Sequence, residues 1–108
     1  MALDFAQPFT ERTPRVVNAA KLKRSAGRRK AKAFLAEGEN AVEAAVATGA
    51  ATDLFVTAEA AERYEEIVRA AGYTDVYVHA ITDKAAEHLA DAVTHTGIFA
   101  VCRPVLWT

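Results

Sequence analysis

Between residues 33 and 102 the sequence alternates short apolar runs with longer amphipathic stretches, and this alternation limits its possible folds more than any other feature. The runs are Ala33-Phe34-Leu35-Ala36, Thr52-Asp53-Leu54-Phe55-Val56, Val76-Tyr77-Val78 and Gly97-Ile98-Phe99-Ala100-Val101-Cys102. Each has the length of a strand and is bounded by charge or turn residues, and Pro104 stops the last. Glu37-Gly38 turns the first run into a helix from about Glu39 to Thr48, with Val42, Ala45 and Val46 on one face and Gly49 as its terminator. Thr57 is the expected N-cap of the next helix, with Glu59 and Glu62 near the positive end of its dipole. That helix is expected to reach Ala71, to bury Ala61, Tyr64, Ile67, Val68 and Ala71, and to close at Gly72. Thr82 or Asp83 then caps a short helix through Leu89. About four strands with interleaved helices predict an α/β protein, a three-layer α/β/α sandwich with a mostly parallel sheet. The 108 residues make one domain that buries enough surface to fold without staples.

The segment before these units carries the charge signal. The net charge is −1, yet residues 1–39 hold nine Lys/Arg against four Asp/Glu, and residues 40–108 hold four against ten. No acid occurs from Arg12 to Ala36, where Arg12, Arg15, Lys21, Lys23, Arg24, Arg28, Arg29, Lys30 and Lys32 all fall. Such asymmetry points to one face that meets a polyanion, against the alternative of a solvated arm that aids solubility. Residues 1–14, with Pro8 and Pro14, read as a flexible arm. Val16, Val17, Ala20 and Leu22 suggest a short basic helix from Arg15 to about Ser25, closed by an Ala26-Gly27 break ahead of Arg28-Arg29-Lys30. The apolar tail Val105-Leu106-Trp107-Thr108 reads as the start of a linker in a longer protein.

Lys21-Leu22, Arg28-Arg29-Lys30 and Phe34-Leu35-Ala36-Glu37-Gly38, followed by Val42 and Ala45, form an ordered set. Thr94-His95-Thr96-Gly97-Ile98-Phe99-Ala100-Val101-Cys102-Arg103-Pro104 closes it. In order and spacing the set resembles the amino-terminal substrate-binding domain of SpoU/TrmH-type RNA 2′-O-ribose methyltransferases, over roughly residues 15–104. His95-Thr96 stands where many relatives carry Pro-Gln. The resemblance implies a fold like that of small ribosomal and kink-turn-binding proteins, with structured RNA (ribosomal or transfer) as the partner. It also implies a separate knotted domain that binds S-adenosylmethionine, transfers the methyl group and dimerises. This domain alone is then a monomer with no catalytic group and no cofactor of its own.

On that reading the RNA-binding candidates are Lys21, Lys23, Arg24, Arg28, Arg29, Lys30 and Lys32, with Glu37, Gly38, Asn40 and Thr96. Lysine and arginine neutralise phosphates, and arginine forks onto phosphate or guanine where lysine is a point charge. Gly38 permits close backbone approach at a strand-to-helix turn, or is simply a tight turn. The N–H groups at Glu39 and Asn40 face a phosphate or base edge, and Asn40 has the groups to read a base directly. For Glu37 a cap or salt bridge competes with RNA contact. Two other functions fit the same fold: a stand-alone kink-turn-type RNA binder, and a protein–protein module using the acidic second half.

The remaining residues point to no chemistry. His79, His88, His95 and Cys102 match no zinc spacing, so no metal site is expected; His79 ends a strand and Cys102 is a small core residue. Phe34, Phe55, Tyr64 and Phe99 are expected in the core, and Phe5, Phe9 and Trp107 near the surface. A single cysteine excludes an internal disulfide framework and fits a reducing compartment. No apolar run nears the roughly 20 residues that cross a bilayer, and the amino terminus lacks a basic start followed by an apolar stretch. A cytoplasmic protein with no membrane partner is therefore expected.

Overall fold

The structure, a computed structural model, describes residues 3–91 and 95–104. Residues 105–108, where the linker is expected, and Trp107 among them lie outside the described residues. Helix α1 (Pro14–Ala20) starts on a proline, whose fixed φ suits a first helical position. A 3₁₀ turn (Lys21–Lys23) follows, then α2 (Ser25–Ala31), β1 (Phe34–Glu37) and α3 (Glu39–Ala47). Next come β2 (Ala51–Val56), α4 (Ala58–Arg63), α5 (Glu65–Gly72), β3 (Tyr77–Ala80), α6 (Asp83–Ala90) and β4 (Ile98–Cys102).

The sheet order is β1-β4-β2-β3, in three α/β/α layers. Strands β1, β2 and β3 share one direction, as alternation with helices implies. The sheet is nevertheless mixed rather than mostly parallel, because β4 inserts antiparallel to both β1 and β2 and only β2–β3 is a parallel pair. After α6 the chain re-enters the sheet at the end where β1 and β2 finish: Gly38 donates its N–H to Ile98 O at 3.1 Å, and Thr57 donates to Gly97 O at 3.0 Å. Helices α3, α4 and α6 therefore begin at one end of the sheet.

Period-two alternation sorts the strand residues between two cores. Leu54, Val56, Ile98, Ala100 and Cys102 pack with Val42 and Val46 of α3 and with Ile67 and Ala71 of α5. On the other face Phe55 and Phe99 pack with Val16 and Ala19 of α1 and with Ala85, Ala86 and Leu89 of α6. Thr57 and Thr82 cap α4 and α6, accepting from Ala60 N at 3.2 Å and Ala85 N at 3.0 Å.

Several local expectations need correcting. The helix expected from Thr57 to Ala71 breaks at Tyr64, whose φ of −113° and ψ of 40° leave the helical region, and Gly72 is the last residue of α5 rather than the one beyond. Gly27 does not break the basic segment but lies inside α2, where it meets the 3₁₀ turn so closely that a Cβ would stand 2.1 Å from Lys21 O. Phe34 is 39% exposed rather than core, because β1 is an edge strand and α2 contributes no buried residue to cover it. The segment ahead of α1 lies along β3. Phe9 bridges Ile81 there, donating to Ala80 O at 2.8 Å and accepting from Thr82 N at 3.0 Å.

Candidate nucleic-acid interface

The acid-free segment folds into α1, the 3₁₀ turn and α2, with α1 packed beside α6 on one face of the sheet. Its cations divide into two groups. Lys23 is engaged: its Nζ donates to His88 O at 2.6 Å and stands 3.7 Å from Asp91 Oδ1, tying the 3₁₀ turn to the end of α6. Arg28 is engaged too, its Nη1 donating to Leu22 O and Lys23 O, both at 3.0 Å, and so capping the 3₁₀ turn from α2. Lys21, Arg24, Arg29, Lys30 and Lys32 are exposed, and none has a side-chain partner among the described residues. Lys32 ends α2 with a φ of 55°, in the left-handed region, which turns the chain sharply from the helix into β1.

Glu37, Gly38 and Thr96 meet at the end of the sheet where α3 begins. Glu37 Oε2 lies 3.4 Å from both Thr96 N and Thr96 Oγ1, and Thr96 Cγ2 lies 3.8 Å from where a Gly38 Cβ would stand. Gly38 has a φ of 95°, so its backbone needs glycine although a Cβ there would meet Thr96 only at ordinary contact distance. Asn40 is exposed on the first turn of α3, whose leading N–H groups have no side-chain cap from Gly38. A groove of about 330 Å³ between the 3₁₀ turn, β1 and α6 joins the two regions, lined by Lys23, Arg28 and Glu37 over Leu35 and Leu89. Lys21 and Arg24 flank a neighbouring hollow of about 420 Å³ with His88. Arg29, Lys30 and Lys32 line neither of these grooves.

A polar cluster on the same sheet face escaped sequence reasoning. Asp53 Oδ2 accepts from Arg15 Nη1 at 2.7 Å and lies 2.8 Å from His79 Nε2, while Thr52 Oγ1 donates to Oδ1 at 3.0 Å. The His79 ring stacks on Phe9, with centroids 4.9 Å apart, and lies 5.0 Å from Phe55; Arg15 sits 5.3 Å from the Tyr77 ring centre. Burial alone would raise the Asp53 pKa, but the hydrogen bonds from His79, Thr52 and Arg15 and the Arg15 charge outweigh it and hold the carboxyl below its ordinary value. The sole sequence sign was an aspartate inside an apolar strand, a residue type that strands disfavour. Among the described residues no three His, Cys, Asp or Glu side chains gather to hold a metal, and no helix is long and apolar enough to cross a membrane.

Comparison with known proteins places this geometry. None of the curated proteins compared with the chain matches it. Among solved structures, an rRNA methyltransferase from Sinorhizobium meliloti superimposes with a TM-score of 0.73 at 16% identity, over 92% of this chain and 37% of that one. A second structure, described as an AdoMet-bound rRNA methyltransferase from the same organism, gives 0.67 at 14% identity, over 94% and 35%. An RNA 2′-O ribose methyltransferase gives 0.71 at 18% identity, over 90% and 37%. At these identities the likeness establishes the fold, and this chain spans little more than a third of those proteins. The sequence over residues 13–100 matches the MRM3-like substrate binding domain, which bears out the resemblance to a methyltransferase's substrate-binding domain. The chain belongs to the family of MRM3-like substrate binding domains.

Proposed function

We propose that this domain holds structured RNA, ribosomal or transfer, for an S-adenosylmethionine-dependent 2′-O-ribose methyltransferase whose transferring domain is separate and knotted. The observation that carries the reading is the row of exposed cations, Lys21, Arg24, Arg29, Lys30 and Lys32, lacking side-chain partners among the described residues, on a segment that Arg28 ties to the 3₁₀ turn and Lys23 ties to the end of α6. Unpaired cations release counterions when they meet phosphates, which makes the surface suited to a polyanion of any sequence. Glu37, Gly38, Asn40 and Thr96, beside the start of α3, supply the groups for more selective contact.

The methyl donor belongs to the other domain. S-adenosylmethionine carries a sulfonium and a ribose diol, which call for a carboxylate acceptor, and the groove-lining Asp53 is already engaged by Arg15 and His79. Asp53 is therefore not free to receive the cofactor, and on this reading the part of this chain's residues is to bind and orient RNA. The full-length enzyme on this reading is cytoplasmic and dimerises through its catalytic domain.

The test is the triple variant Arg29→Glu, Lys30→Glu, Lys32→Glu, titrated with a structured rRNA fragment across a salt series. The expected result is weaker binding at low salt and a log K against log salt slope shallower by about 2–3, close to one for each phosphate no longer neutralised. Arg28 stays unaltered because its reversal would disturb the 3₁₀ turn as well as the RNA surface. Unchanged affinity in the triple variant removes this cation row from the RNA site.

A further inference from the structure

A second groove, of about 380 Å³, lies between α1, the α2–β1 junction and the sheet. Its apolar floor is built by Ala19 and Leu22 on the helical side and by Phe55 and Val101 on the sheet. Four polar side chains edge it: Arg15 and Asn18 from α1, Asp53 from β2 and Arg103 just past β4. Arg103 Nη1 donates to Ala31 O at 3.4 Å, which holds the guanidinium across the end of α2. Lys32 is exposed between Ala31 and Ala33, both of which line the groove, so the last cation of the row described above borders it.

We propose that this groove receives one unstacked nucleotide of the bound RNA, with its base against Val101 and its phosphate at Arg103 and Lys32. The inference rests on the RNA-holding reading and adds a site that the cation row does not define. Volume supports it, since the groove falls at the small end of the roughly 300–1,000 Å³ typical of small-ligand sites. Charge supports it too: the Asp53 carboxylate is matched by Arg15, which leaves Arg103 and Lys32 available to a phosphate. Continuity is the third support, because Lys32, the last cation of the row, borders the groove and sequence-selective RNA recognition favours splayed-out bases. Asp53 is already engaged by Arg15, His79 and Thr52, which leaves Asn18, able both to donate and to accept, as the group that meets the base edge, so the groove admits any of the four bases.

The probes are GMP, AMP, CMP and UMP, titrated into the isotope-labelled chain, followed by RNA titrations of Asn18→Trp and Arg103→Ala. Asn18 is exposed on α1, so a tryptophan there blocks the groove without burying new volume in the core. The expected results are saturable shifts at Ala19, Phe55 and Val101 with each of the four mononucleotides, loss of those shifts in Asn18→Trp, and RNA affinity about tenfold lower in both variants. Wild-type RNA affinity in Asn18→Trp and Arg103→Ala overturns the proposal while leaving the cation row standing. Groove shifts with mononucleotides but undiminished RNA affinity in both variants also overturn it, in favour of a site for free nucleotide. If the unaltered chain fails to bind RNA at low salt, the RNA-holding reading falls and the proposal with it.

Discussion

Gly27→Ala separates two views of the basic segment by the sign of its effect. Inside a helix, replacing glycine by alanine ordinarily stabilises by about 1 kcal/mol, because glycine loses more backbone entropy on folding. Here the added Cβ would lie 2.1 Å from Lys21 O and 2.9 Å from Lys21 C, where ordinary contact begins at 3.4 Å. The obstacle is backbone and cannot rotate away, so α2 and the 3₁₀ turn must part by more than an ångström. That displacement stretches the two 3.0 Å bonds from Arg28 Nη1 to Leu22 O and Lys23 O beyond hydrogen-bonding range. Each of these bonds, one exposed and one half-buried, contributes about 1 kcal/mol net. Residual overpacking adds about 1 kcal/mol, the low end of its usual range because α2 has no buried residue and can shift. After the propensity gain, the expected net loss is about 2 kcal/mol, a fall in Tm of roughly 10 °C for a domain of this size. Urea and thermal unfolding followed by far-ultraviolet circular dichroism measure it. In the Gly27→Ala background, Arg28→Ala should cost less than in the unaltered chain, because its bonds are already broken. A Gly27→Ala protein as stable as the original, or more so, refutes the close approach of α2 to the 3₁₀ turn.

Two further outcomes are expected. Asp53→Asn should destabilise by about 1–2 kcal/mol at neutral pH, since it weakens the bonds to Arg15 and His79. Because the folded-state pKa of Asp53 lies below 3.8, its contribution is complete above that value and is lost as pH falls through the lowered pKa. Denaturation curves of the two proteins should therefore differ at pH 7 and converge in strong acid; a gap that persists there argues against the carboxylate as its source. Cys102 is fully buried in β4, and desolvation pushes its thiol up to about 11. A thiol reagent at pH 8 should label the native chain only at the rate of unfolding, and fast labelling would contradict that burial.

The strands were legible because each is a short apolar run, and the helices because Val42, Ala45 and Val46, or Ile67 and Ala71, repeat at helical spacing. Direction was not legible for β4. Nothing in Ile98–Cys102 distinguishes a strand that continues the parallel set from one that enters between β1 and β2 from the opposite end. Gly27 was misread because a helical glycine required by a neighbouring carbonyl looks, in sequence, like a glycine that ends a helix. The cations share this difficulty. Arg28 and Arg29 are adjacent and chemically identical, yet only the helical phase decides that the first caps the 3₁₀ turn while the second faces outward. The Arg15–Asp53–His79 cluster joins residues 38 and 26 positions apart, on three elements, and local pattern carries no trace of such distant pairing.

The position of β4 also determines when the chain can fold during synthesis. It is the last strand to be made, yet it lies second in the sheet, and both β1 and β2 depend on it for their pairing on that side. Until residue 102 is available, β1 has no neighbour and β2 has only β3. Helix α3 then rests on a sheet with a gap at its centre, and Phe55 lacks the Phe99 opposite it. The nascent domain must therefore emerge in full before its two cores close, so its exposed basic segment reaches solvent well before the fold that orders it. A polyanion nearby would meet those cations before the fold that orders them is complete.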